Sequence, residues 1–168
     1  MLERGLFLFI LIAALFSPKG FAAGKADNLG MKDGFEIQLW AVVENEKFEG
    51  MELADIPPED YAKQADLTKH VHGFFLMKNP ALDDEHNSNV TARVLVRRPD
   101  GSIYKEIKRL PCWTARQPVP RNKMVGSIRT IDIALDEDDP KGTYVIEAWV
   151  TDNVTQNQIY VTYAINFQ

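Results

Sequence analysis

From Phe35 to Val43 the chain reads FEIQLWAVV. Phe35, Ile37, Leu39, Ala41 and Val43 fall on one side of an extended chain, and Glu36, Gln38, Trp40 and Val42 on the other, which predicts a strand. HVHGFFLMKN, His70 to Asn79, predicts a second. NVTARVLVRRPDGSIYKEIKRLP predicts a hairpin. Val90, Ala92, Val94 and Val96 share one face of it, and Ile103, Lys105 and Ile107 follow on the return strand. PDGS supplies the fixed and positive backbone angles of the turn. In GSIRTIDIALDE, Ile131, Ile133 and Leu135 alternate again. TYVIEAWVTD and QIYVTYAINF predict a final hairpin across NVTQN, with Ile159, Val161, Tyr163, Ile165 and Phe167 on one face.

Between the first two strands the alternation stops. Glu44–Lys69 is an acidic insertion of about 25 residues, long for a loop in a compact domain, and such loops often carry function. Within it, PPEDYAKQA has Pro at a helix start with acids in the first turn, which predicts one short helix. About seven strands with turn signals between them predict an all-β, Ig-like antiparallel β-sandwich spanning 35–168.

The start of the chain reads differently. MLERGLFLFILIAALFSPKGFAAG has a charged start, an apolar run and then small residues, the layout of a secretory signal peptide over 1–22. Its apolar run of about 11 residues is too short to span a bilayer as a helix. Residues 23–34 are small and polar and are expected to be a flexible N-terminus. The expected setting is therefore periplasmic or secreted, with no membrane span after cleavage.

DPKGTYVIEAWVTDNVTQNQ joins the strand ending near Asp136 to the strand starting at Thr143. It resembles the penultimate hairpin of bacterial Ig-like and macroglobulin-type domains, where a Pro-x-Gly-x-Tyr corner leads into an alternating strand. The resemblance covers Ile128 to Phe167. It implies a sandwich in which Tyr144 bonds back across the corner, and it implies little about function. One departure is plain: antibody-type domains carry a Cys-Trp-Cys core, and this chain has a single cysteine.

Charge changes the picture more than composition does. The net charge of −5 hides a segment, Asn89 to Thr130, with ten Lys or Arg against two acids, so that segment carries +8 and the remainder −13. Such asymmetry predicts a two-signed surface able to steer an acidic partner or to let copies meet head to tail. The candidate binding residues are Arg93, Arg97, Arg98, Lys105, Lys108 and Arg109 on the basic hairpin. Trp40 and Trp149 join them, since both lie off the main core stripe and Trp is enriched among interface anchors. The expected partner is another envelope or extracellular protein or polymer, and a homo-oligomer is a further possibility. The acidic overall balance and the leader argue against nucleic acid.

The alternative readings are narrower. His70 and His72, two apart on a strand, share a face and suit copper or zinc, with His86 and Met124 as further ligands through loops. Asp136 to Asp139 are four acids in a row, but on an extended chain they cannot all reach one calcium ion. Cys112 has no internal disulfide partner; it is a buried small residue, one half of an intermolecular disulfide or, with Arg109 and Arg116 nearby, a reactive thiol. No G-x-S-x-G, H-E-x-x-H or glycine-rich phosphate loop is present, so an enzyme would have to be of unrecognised type. NVT at Asn89 and at Asn153 are glycan acceptors only in a eukaryotic pathway.

Overall fold

The computed structural model describes residues 27–114 and 118–168. The expected signal peptide, and Arg116, lie outside the described residues. Ten strands follow in order: β1 (Leu29–Lys32), β2 (Phe35–Val43), β3 (Gln64–Ala65), β4 (Val71–Lys78), β5 (Val90–Arg97), β6 (Ile103–Trp113), β7 (Val125–Gly126), β8 (Ile131–Ile133), β9 (Gly142–Asp152) and β10 (Asn157–Phe167). They form two sheets. The first runs β1-β2-β4, with β7 and β8 both on the far side of β4; the second runs β3-β10-β9-β5-β6. Except for β3 against β10, every pairing is antiparallel. This strand order is that of an Ig-like sandwich: β2, β4 and β8 stand as strands A, B and E, and β6, β5, β9 and β10 as C′, C, F and G.

The alternation explains the core. Inward residues of β2 (Phe35, Ile37, Leu39, Ala41), β4 (Val71, Phe75, Met77), β5, β9 and β10 meet between the sheets and are nearly all fully buried. Tyr144 is among them, and its hydroxyl donates to the Pro140 carbonyl at 3.0 Å, the expected bond across the corner. In the β5–β6 turn Gly101 takes φ +84°, its N–H bonds the Arg98 carbonyl, and the Asp100 carboxylate caps the Ser102 N–H.

β7 and β8 are one interrupted edge strand. Their registers against β4 differ by two residues, and Ser127 fills the break: its Oγ accepts from the Phe75 N–H and donates to the Arg129 carbonyl.

Three expectations need correction. Residues 29–32, expected within a flexible N-terminus, pair with β2 as β1, because Gly30 lets the backbone lie against Ile159, where a Cβ would overlap the side chain. The short helix is absent among the described residues: Pro58–Asp60 makes a single 3-10 turn, after which Tyr61 packs on Trp40 and the Ala62 N–H bonds the Ala41 carbonyl, drawing the chain out straight. The count of about seven strands rises to ten because β1, β3 and β7 are too short to show a period.

Contacts bridge both open sides of the sandwich. On one side, β3 pairs in parallel with the end of β10 and the Asp27 carbonyl accepts from the Thr162 N–H. On the other, side chains of β6 reach the edge of β8: the Tyr104 hydroxyl donates to the Ala134 carbonyl and Lys105 Nζ to that of Asp132 at 2.6 Å. Such capping blunts edges that would otherwise template pairing with other chains.

Candidate interaction surface

The two sheets present very different outer faces. On β2 and β4 the outward positions are apolar: Val42, Phe74 and Leu76 are buried there. The Glu44–Lys69 insertion covers them, placing Ile56 among them and packing Phe48, Leu53, Ala54 and Tyr61 around the rim. Trp40 belongs to this covered face, with Tyr61 at 4.5 Å and Tyr163 at 5.8 Å between ring centres. Burial raises the Tyr163 phenol to about 12, and its hydroxyl donates to the Ala62 carbonyl. Trp40 is thus a packing residue that anchors the insertion.

The outer face of the second sheet has no such cover among the described residues. Cross-strand register there sets Arg93, Trp149 and Tyr160 in one row, and Leu95, Glu147 and Thr162 in the next. The Trp149 and Tyr160 rings lie 5.1 Å apart, the Arg93 guanidinium sits 5.4 Å from the Trp149 ring, and Tyr160 is 49 % exposed. Arg93 also bonds Glu106, and Arg97 Nε donates to Glu147 Oε2 at 2.7 Å. Glu147 is nearly buried, and the Tyr160 hydroxyl also donates to it. Two neighbouring aromatic rings with a guanidinium over one of them offer a large amphipathic contact area, and rings have few side-chain torsions to order on binding.

The structure therefore brings together Arg93, Arg97 and Trp149, and separates the rest. Lys108 and Arg109 are exposed on β6, the edge strand of this sheet. Arg98 turns to the corner, over the Tyr104 ring and near Asp139. Lys105 is spent on the β8 edge. Trp40 lies on the opposite sheet. Tyr160 and Glu147 were missed, although alternation in QIYVTYAINF already puts Tyr160 opposite the core stripe.

His70 and His72 lie at the end of β4 on the covered side. His72 Nδ1 is 2.9 Å from Asp132 Oδ1, and His70 Nδ1 is 3.5 Å from Glu44. Burial alone would raise the Asp132 carboxyl, but hydrogen bonds from His72 and Thr130 hold it below its usual range. His86 sits in a separate exposed turn and Met124 packs beside the insertion. Among the described residues no three His, Cys, Asp or Glu side chains converge on one point. In the acidic run, Asp139 folds back to accept from the Asp136 N–H.

Cys112 is fully buried and burial pushes its thiol well above the usual range. A thiolate is the reactive form. Native protein is therefore expected to resist a disulfide reagent at neutral pH and to react stoichiometrically once unfolded in urea; prompt labelling of the native state would contradict this.

No protein-family model and no curated protein sequence matches the chain. Among solved structures it is similar to the CARDB domain of a Pyrococcus furiosus protein, solved in complex with di-metal ions. Identity is 14%, coverage is 79% of this chain and 89% of that one, and the TM-score is 0.37. It is also similar to a Niemann-Pick type C2 protein from the Japanese carpenter ant, at 10% identity over 86% and 94% of the two chains, with a TM-score of 0.39. The fold described above rests on strand order and register, independently of these likenesses.

Proposed function

We propose that this domain is a non-enzymatic binding module of the periplasm or extracellular space, which holds another envelope or extracellular protein against the outer face of its second sheet. The observation that carries this reading is the asymmetry of the two faces. One is buried under the insertion, and on the other Trp149 and the half-exposed Tyr160 lie ring against ring beside Arg93, with no covering segment among the described residues. Trp, Tyr and Arg are the residue types that most often dominate interface energies. Lys108 and Arg109 at the edge of the same sheet give an acidic partner a charge to approach, an effect on association rate more than on final affinity.

The test is site-specific photo-cross-linking in the native envelope, with the reactive group at exposed Gln158 on this face and a control group at Met51 on the insertion. A discrete protein adduct from position 158 is expected. It should be lost in Trp149→Ala, for which an affinity loss of about 30-fold (~2 kcal/mol) is expected. Adducts that form only from position 51, or that survive Trp149→Ala undiminished, would refute the reading.

A further inference from the structure

A groove of about 300 Å³ opens between the insertion and the edge of the first sheet, away from the aromatic face. Its floor and walls are Val42, Phe48, Met51, Leu53 and Ile56, and Met51 is 40 % exposed above it. The charged or titratable side chains lining it are Glu44, Glu49 and His72; no Lys or Arg lines it. The nearest cation on the insertion, Lys47, is turned to Asp60 and lies over the Phe48 ring. Lys105 lies beyond Asp132, bonded to its backbone carbonyl.

The mouth of the groove has a defined polarity. A carboxylate only accepts, so the His72 Nδ1 beside Asp132 carries the proton, and in the neutral ring Nε2 is then an acceptor. That Nε2 stands 4.0 Å from Glu44 Oε1. With the ring neutral these two acceptors repel one another, yet both can lie about 2.8 Å from one N–H-bearing cation placed between them. An apolar slot closed at its mouth by two acceptors and a second carboxylate, Glu49, is complementary to a molecule with an apolar body and a positively charged amine.

We propose that this groove binds a small amphipathic amine, with its ammonium between Glu44 and His72 and its apolar body over Val42, Ile56 and Met51. The volume is at the small end of ligand sites and suits a ligand of one ring or a short alkyl chain. The proposal is independent of the partner-binding face, which lies on the other sheet.

The test uses three probes with the same phenyl body: phenethylamine, phenethyl alcohol and phenylacetate. Methionine-methyl NMR of the whole protein reports on Met51 directly. Phenethylamine is expected to shift Met51 saturably at about millimolar concentration, and the alcohol and the acid to do so at least about tenfold more weakly. Glu44→Gln removes the charge from an exposed side chain and should weaken the amine by about tenfold or more without unfolding the protein. Equal affinity for all three probes, an unchanged affinity in Glu44→Gln, or no shift at Met51 would overturn the proposal. So would zinc(II) displacing the amine while shifting His70 and His72 together, which would reassign the mouth of the groove to a metal.

Discussion

Replacing Tyr144 with Ala is expected to destabilise the domain by about 3–5 kcal/mol, the range for deleting a fully buried aromatic ring. Tyr144 is fully buried, with Phe167 at 5.2 Å and Tyr104 at 6.0 Å, both edge-on. Its hydroxyl bonds the Pro140 carbonyl. Burial first, and then the nearby Asp139, raise the phenol, so it remains a donor at neutral pH. Tyr144→Phe keeps the ring and loses only that bond, and should cost about 1–2 kcal/mol. Domains of this size hold about 5–15 kcal/mol in total. Tyr144→Ala should therefore lower the melting temperature by about 10 °C or more, and Tyr144→Phe by only a few degrees. Urea and thermal unfolding of the two variants separate packing from the corner bond. If Phe costs as much as Ala, the bond and not the ring holds the corner.

Asp152 carries the second large effect. It is 1 % exposed, and its two oxygens accept from different segments: Oδ2 from the Ala81 N–H at 2.8 Å, and Oδ1 from the Val154 N–H at 2.9 Å. One carboxylate thus ties the loop after β4 to the β9–β10 turn. Asp152→Ala leaves two donors without their acceptor, and at about 1–3 kcal/mol for each such group the expected loss is about 2–4 kcal/mol. Asn recovers little, because its amide presents a donor to one of the two N–H groups. Hydrogen exchange locates the effect: the Ala81 and Val154 amides should lose protection in both variants ahead of the β5 and β9 amides. Unchanged exchange at these two amides would show that the carboxylate does not hold them.

The long strands were legible because their outward and inward residues differ in kind. FEIQLWAVV and QIYVTYAINF announce both their extent and their buried face, and Pro-x-Gly-x-Tyr announces the corner. The hidden parts are those where local pattern does not decide. LGMK at β1 is fixed by what Gly30 lets approach, and Gln64–Ala65 by the neighbouring β10. Phe48, Leu53, Ile56 and Tyr61 have no common spacing, so the insertion reads as a polar loop although it covers a second small core. In β6, three register shifts against β5 break the two-residue period, so parity could not tell that Tyr104 and Lys105 reach across to β8 or that Ile103 stays half exposed. The candidate surface suffered in the same way. Trp40 and Trp149 look alike in the sequence, and only the assignment of β2 and β9 to different sheets divides them between a packed face and an open one.

The order of the second sheet also bears on how the domain comes into being. β10 lies between β3 and β9 and supplies five side chains to the core, and Gln64 and Gln168 are bonded across 104 residues. A ribosome delivers β3 early and β10 late. Until residues 157–167 have emerged, β3 has no mate, one row of the core is missing, and the apolar faces of β2, β4 and β5 wait uncovered. Contacts this distant in sequence form slowly, and the waiting surfaces are the kind that chaperones hold. The nascent domain is thus kept open by its own topology until β10 has emerged, a delay written into strand order without any separate device to impose it.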